Sequence, residues 1–360
     1  MLDRIIRAQR AIGEACEKLG RQITIMEVCG THTVSIFRSG IRSMLPERLK
    51  LLSGPGCPVC VTDQGYIDAV LDLADRDDCI IATYGDMIRV PGHRGSLETR
   101  ASGGDVKIVL SSEDALQLAR DNPGKTIVFI AVGFETTAPA TAVVVKEAAR
   151  ENVENFCVLS GHKLVIPAMR ALLSGMNDRI DAFLCPGHVS VIIGSGAFKE
   201  IADSFHRPCV VAGFEPVQIM EGLAEISRQL AAGRAEVKSI YHAVVTQAGN
   251  TAAQKIIAEC FEPVDGYWRG LGKIAKSTLA LREQYSRLDA FRRFGLEDVP
   301  GKDDSGCRCG EVLCGLIDPI QCPLFGTRCT TERPVGPCMV SSEGTCAAWF
   351  KYRRRKKSDQ

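Results

Sequence analysis

Apolar and polar positions first define the chain's local elements. In "MLDRIIRAQRAIGEACEKLG", Ile5, Ile6, Ala8, Ile12, Ala15, Cys16 and Leu19 recur at helical spacing, predicting an amphipathic helix over 1–20. From residue 21 to about 235, short β-prone runs alternate with helical patterns. The expected strands are 22–28, 79–84, 106–110, 126–132, 156–159, 182–185 and 208–212. The expected helices are 63–75, 112–120, 137–150, 164–174 and 216–231. That alternation is the signature of βα units and parallel sheets. "RDNPGKT" at 120–126 reads as a hinge between two similar halves, and "GFE" recurs at 133–135 and 213–215. The expected division is therefore a helix over 1–20 packed on the C-terminal part, an α/β domain over 21–122 and another over 123–235. A helical and then loop-rich domain is expected over 236–350, followed by a solvated basic tail over 351–360.

Charge and hydropathy then narrow the function classes. Forty-four basic and 43 acidic residues nearly cancel, so no global pull toward nucleic acid or anionic membrane is expected. Apolar runs such as "IVFIAV" at 127–132 fall far short of the roughly 18–20 residues a membrane span needs. The first residues carry charge throughout and lack a signal-peptide core, so the expected location is cytoplasmic. Two phosphate-like motifs fail. "NPGKT" has Ala119 where a P-loop needs its first glycine, and it precedes a strand; "GSG" at 194–196 lacks the third glycine of a dinucleotide fingerprint.

Cysteine usage changes the picture more. Of 16 cysteines, nine are scattered through the first 260 residues and seven fall between Cys307 and Cys346. In a cytosolic chain this points to metal or redox chemistry. The segment holding the seven is rich in Gly, Pro and Ser and has few large apolar residues, so something besides an ordinary core must hold it. Ligands of open α/β sheets collect beyond the carboxyl ends of the strands. Cys29 and His32 in "EVCGTHTVS", Glu135 in "VGFETTAP", His162 in "LSGHK" and His188 in "CPGHVS" all fall there, which makes one shared cleft the expectation. Cys57 and Cys60 form a C-x-x-C pair in "SGPGCPVCVT"; no second pair nearby completes a zinc knuckle, so a redox dithiol is favoured over a structural pair. Cys322, Cys329, Cys338 and Cys346 are spaced too widely for zinc knuckles and suit a [4Fe-4S] cluster, with zinc or disulfides as the alternatives. Cys307, Cys309 and Cys314 are upstream extras: free, paired or alternative ligands.

Seven ordered motifs resemble the hydrogenase maturation factor HypD family: "CGTHT" (29–33), "GPGCPVC" (54–60), "GFETTAP" (133–139), "SGHK" (160–163), "PGHVS" (186–190), "CGEVLCG" (309–315) and "CPLFGTRCTTERPVGPCMVSSEGTC" (322–346). The resemblance implies two Rossmann-like parallel-sheet α/β domains plus a helical and loop-rich C-terminal [4Fe-4S] domain. It implies assembly of the Fe(CN)2(CO) unit of [NiFe]-hydrogenases with a HypC-type chaperone and a HypE-type cyanide donor, HypF acting upstream. By motif, Cys29 would hold the iron, supported by His32; Cys57 and Cys60 would be the redox pair; Cys322, Cys329, Cys338 and Cys346 would hold the cluster. The implied role is an assembly scaffold with redox activity, monomeric within a heteromeric complex. Thr31 and Thr33 could offer hydroxyls to cyanide nitrogens, or Thr33 could cap the next helix. An iron–sulfur-dependent thiol–disulfide reductase and a zinc-stabilised scaffold are the alternative readings. Two departures stand out: Ile166 where the family often has Pro, and Cys314 where Arg is common.

Overall fold

The structure is a computed structural model describing residues 2–100, 105–176, 178–302 and 305–352. Eleven strands are present among them: β1 (Ile23–Glu27), β2 (Leu49–Ser53), β3 (Cys79–Thr83), β4 (Val106–Ile108), β5 (Thr126–Gly133), β6 (Phe156–His162), β7 (Ala182–Cys185), β8 (Cys209–Val211), β9 (Val237–Ser239), β10 (Phe261–Trp268) and β11 (Gly272–Leu281). They form a five-stranded sheet in the order β2-β1-β7-β8-β9, a four-stranded sheet in the order β4-β3-β5-β6, and the hairpin β10-β11. Both larger sheets are parallel throughout, and the hairpin is antiparallel. The α/β class with parallel sheets is as expected. β5 shows why: "TIVFIAVG" is buried on both faces but for its first residue, as a central parallel strand must be. Burying a side chain such as Phe129 contributes roughly 1.5–3 kcal/mol.

The expected break at 122/123 does not separate the sheets. β3 pairs with β5 across it, while β1 pairs with β7 far downstream. The chain starts in the five-stranded sheet, crosses to the other for β3–β6, then returns for β7–β9. Local periodicity identifies a strand but not its partner, and here the partners are non-local. Two of the missed strands, β2 and β9, are short and carry a lysine each, which masks their pattern.

Two further expectations are corrected. The helix Leu2–Leu19 packs on the helix Pro216–Ala231, not on the C-terminal part: Ala8, Ile12 and Cys16 share a core with Ile219, Met220 and Leu223. Arg4 pairs with Glu221 at 2.8 Å on the rim of that contact. The region after 236 is not helical to 294: the helix Thr251–Cys260 leads straight into β10. Gly270 and Gly272, both at positive φ, turn β10 into β11, and Phe261 and Trp268 are buried beneath the hairpin.

The cysteine-rich segment has no core of its own. Cys309, Val312, Leu313, Cys338, Met339 and Ala347 share one cluster with Cys57, Cys60, Val61 and Trp268. It is held by docking onto the C-x-x-C loop. Residues 351 and 352 end the helix Thr345–Tyr352; the rest of the expected basic tail, 353–360, lies outside the described residues.

Candidate thiol cleft and cysteine cavity

β1 ends at Glu27, and Cys29 follows in extended conformation (φ −151°, ψ 119°) as the N-cap of the helix Gly30–Arg38. The backbone N–H groups of His32 and Thr31 are directed at its sulfur, yet burial dominates and pushes the thiol up to about 12, with Glu27 and Glu343 adding to the rise. Cys29 is thus a protonated thiol at neutral pH. It opens on a cleft of about 410 Å³ lined also by Thr31, Pro58, Phe134, Val165, His188 and Glu343. All but Glu343 come from the segments after β1, β2, β5, β6 and β7, so the carboxyl ends of both sheets converge on one space, and Glu343 of the cysteine-rich segment closes over it.

Two glycines allow the convergence. A Cβ on Gly56 would lie 2.2 Å from the Cys29 nitrogen, and one on Gly30 would lie 2.6 Å from Glu343 Cβ. The loop after β2 and the "SSEG" turn can therefore approach Cys29 backbone to backbone. The Gly30 N–H donates to the Gly56 carbonyl at 3.2 Å.

Of the residues expected beside Cys29, His188 lines the cleft, stacked on Phe214 with ring centroids 4.0 Å apart. His32 packs behind it. Its Nε2 is 3.0 Å from the Gly213 carbonyl and its ring lies 4.9 Å from Phe214. Burial lowers it to about 4, so it is neutral, and its Nδ1 is buried without a partner. Glu135 is buried next to the cleft wall. One oxygen accepts the Val165 N–H at 3.0 Å, the other has no partner, and burial raises the carboxyl to about 7. His162 does not join the cleft. It sits in the core between Thr141, Ser160 and Phe261, and burial lowers it to about 3. The hydroxyls of Thr31 and Thr33 are already engaged, donating to Glu343 (2.7 Å) and to Glu27 respectively, and Thr33 does not cap the helix.

Sequence reasoning missed the two carboxylates. Glu27 is fully buried, accepts the Cys29 N–H at 3.1 Å, and is raised to about 7 by burial, against hydrogen bonds and the nearby Arg42. Arg42 itself lies over Phe37 (4.6 Å) and Trp349 (5.3 Å), tying this corner to the C-terminal helix. An acidic residue in the otherwise apolar "QITIMEV" was the available signal for Glu27. Glu343 carried none, because only folding brings it to Cys29.

Cys57 caps the short helix Pro58–Val61, its sulfur accepting the Cys60 N–H at 3.3 Å. The two sulfurs stand 2.7 Å apart as free thiols. Cys60 is raised by burial and lies within hydrogen-bond reach of Cys338. Cys338 is held well below the usual thiol range by hydrogen bonds from Cys309, Cys346 and Cys60. Behind it, Cys307, Cys309, Cys322, Cys329, Cys338 and Cys346 line one apolar cavity with Phe325 and Met339. The Val335 N–H reaches Cys329 Sγ at 3.3 Å and the Cys346 N–H reaches Cys338 Sγ at 3.4 Å, contacts that favour thiolates. Among the described residues no three His, Cys, Asp or Glu side chains are grouped to hold a single ion. The four cysteines expected as ligands do share that cavity, two of them contacted by backbone N–H groups, and that donor set fits a four-thiolate cluster.

Fold and site define a class: a two-sheet parallel α/β protein whose strand ends converge on a buried thiol, backed by a docked, cysteine-rich segment. The chain belongs to the HypD family; the model described as "Hydrogenase formation hypA family" matches residues 4–353. It is 46% identical over 338 residues to the hydrogenase maturation factor HypD of Escherichia coli (strain K12), covering 93% of this chain and 91% of that protein. It is 44% identical to the HypD of Azotobacter vinelandii (98% and 94% covered) and 43% identical to that of Cupriavidus necator (94% and 91%). No helix among the described residues is long and apolar enough to cross a membrane.

Proposed function

We propose that this chain works in [NiFe]-hydrogenase maturation, with Cys29 holding the iron while its cyanide and carbonyl ligands are added. The observation that carries this reading is the placement of the Cys57–Cys60 pair between two thiol sites. Gly56, next to Cys57, lies against the Cys29 backbone, and Cys60 touches Cys338. The iron is cargo, delivered to a cleft wide enough for its small diatomic ligands. A soft thiolate suits a low-spin Fe(II) bearing cyanide and CO, and the cation itself ionises the buried thiol. His188 is the cleft imidazole. Neutral His32 supports the cleft wall from behind, and Glu135 and Glu27 are carboxyls able to hold a proton near neutral pH.

A [4Fe-4S] cluster held by Cys322, Cys329, Cys338 and Cys346 would supply electrons singly when bound. Cys57 and Cys60 as a dithiol hold two electrons, given up with two protons on closing to a disulfide. The partners of this reading are a HypC-type chaperone sharing the iron and a HypE-type cyanide donor with HypF upstream, in the cytoplasm, with no nucleic acid or membrane involved.

Infrared spectroscopy of the complex co-purified with the chaperone tests it. Cyanide and carbonyl stretches should be present in the Cys16→Ala protein and absent in Cys29→Ala. Persistence in both sinks the role of Cys29. The Cys60–Cys338 contact would equally serve a thiol–disulfide reductase acting on a protein, which would retain dithiol exchange yet never carry those stretches. Anaerobic protein that is colourless and contains zinc would defeat both redox readings.

A further inference from the structure

Six thiols line the cysteine cavity, two more than a four-thiolate cluster takes, and the surplus pair is Cys307 and Cys309. Their sulfurs lie within hydrogen-bond reach of each other, and Cys309 also reaches Cys338. Their exposures differ: Cys309 is buried, while Cys307 is half-exposed. One partly exposed cysteine beside one buried cysteine is an arrangement thiol exchange can use. The chain makes room for it. A Cβ on Gly336 would lie 2.4 Å from Cys307 Sγ, so any other residue there would crowd that sulfur. On the outer side, Ser305, which accepts the Cys307 N–H at 3.2 Å, and Val335, which precedes Gly336, both line a second cavity of about 230 Å³ with His93 and Lys302. Cys307 thus stands between an open pocket and the closed one. A C-x-C pair can bridge without moving the backbone far, since residues two apart fall within the Cα range of disulfides.

We propose that Cys307 and Cys309 form a second redox-active pair, at the outer face of the cysteine cavity, that exchanges two electrons with an external dithiol. In the reducing direction, a thiolate of the external dithiol attacks Cys307 Sγ of the Cys307–Cys309 disulfide. A mixed disulfide forms and Cys309 leaves as thiolate. The second external thiol, losing its proton, attacks its own partner's sulfur in the mixed disulfide and expels Cys307 as thiolate. The external dithiol becomes a disulfide, and Cys307 and Cys309 take up two electrons and two protons. The reverse sequence, with an external disulfide as oxidant, closes the pair. Such a site supplies reducing equivalents from outside next to Cys338, and so serves the iron-assembly reading while standing on its own contacts.

The test uses the full chain equilibrated anaerobically in graded ratios of reduced to oxidised dithiothreitol, then acid-quenched, alkylated and digested for mass spectrometry. The Cys307–Cys309 disulfide should appear with a single two-electron midpoint, the alkylation of Cys329 and Cys346 staying constant across it. Cys307→Ser should leave Cys309 alkylatable at every ratio, and Cys314→Ser should leave the midpoint unchanged. Cys307 and Cys309 both alkylated at every ratio in the unaltered protein would overturn the proposal, with no variant needed. So would disulfides that pair Cys307 with Cys329, or iron content that falls in Cys309→Ser as it does in Cys338→Ser, which would make Cys309 a ligand. Cys29→Ala keeps the exchange while losing the infrared bands, so failure of the assembly reading and failure of this one are separate results.

Discussion

Cys29 should be one of the least ionised thiols in the protein until metal reaches it. Its pKa is pushed up to about 12, chiefly by burial, against about 8.5 for an ordinary thiol. That difference corresponds to about 4–5 kcal/mol disfavouring the thiolate. At pH 8 roughly one molecule in ten thousand would carry the thiolate, compared with about one in four for an unperturbed thiol. The assay is iodoacetamide labelling of the Cys29 peptide, followed by mass spectrometry between about pH 7 and pH 10.5, where the fold must first be shown intact. In native protein the rate should climb about tenfold per pH unit with no plateau below pH 10; in denaturant the same peptide should level off near pH 8.5. Restricted access lowers the native rate at every pH but leaves that slope unchanged. Glu343→Gln removes a negative neighbour, and the thiol should ionise at lower pH. Adding Fe(II) anaerobically should block labelling and release about one proton per iron bound. A native plateau at pH 9 or below would refute the burial argument, and with it the claim that the cation generates the thiolate.

Other outcomes follow from the same contacts. Glu135 binds its proton more tightly folded (about 7) than unfolded (about 4.3), so its contribution is fully present below pH 4 and is lost as pH rises toward 7. Glu135→Gln should therefore raise Tm at pH 8 and flatten the fall in Tm between pH 5 and pH 8; an unchanged profile refutes the burial-driven shift. Gly56→Ala meets backbone at 2.2 Å that no side chain can yield, so denaturant melts should show at least 1–3 kcal/mol lost, and Cys29 labelling should become faster as its loop is displaced. His162→Gln should cost about 1–2 kcal/mol of stability but leave Cys29 labelling and the infrared bands intact; loss of the bands in folded protein would return His162 to the site.

Much was legible before folding. β1, β3, β5 and β7 announce themselves as short β-branched or aliphatic runs, and the Cys29, Glu135 and His188 that follow β1, β5 and β7 already marked the carboxyl ends where ligands gather. Of the five residues expected in one cleft, Cys29 and His188 line it, His32 and Glu135 pack around it and His162 does not join it, while Cys322, Cys329, Cys338 and Cys346, grouped in a single segment, share one cavity. His162 failed because a strand end says nothing about which way the last side chain faces: β6 runs three residues past its expected end, to His162 itself, and the histidine turns into the core beneath Phe261. The domain boundary failed for a related reason. Parallel pairing is decided by the whole crossover, and a hinge-like "NPGK" at the end of a helix does not tell which sheet the next strand joins.

The sequence by itself determined the class of fold and the order of the cysteine and histidine motifs, because periodicity and residue chemistry are local. Tertiary structure alone decided that Cys60 meets Cys338 from the opposite end of the chain and that Glu343 closes over Gly30. It also decided that Cys29 is a buried neutral thiol and not an exposed nucleophile, since burial and the charges around a sulfur depend on which distant loops fold against it.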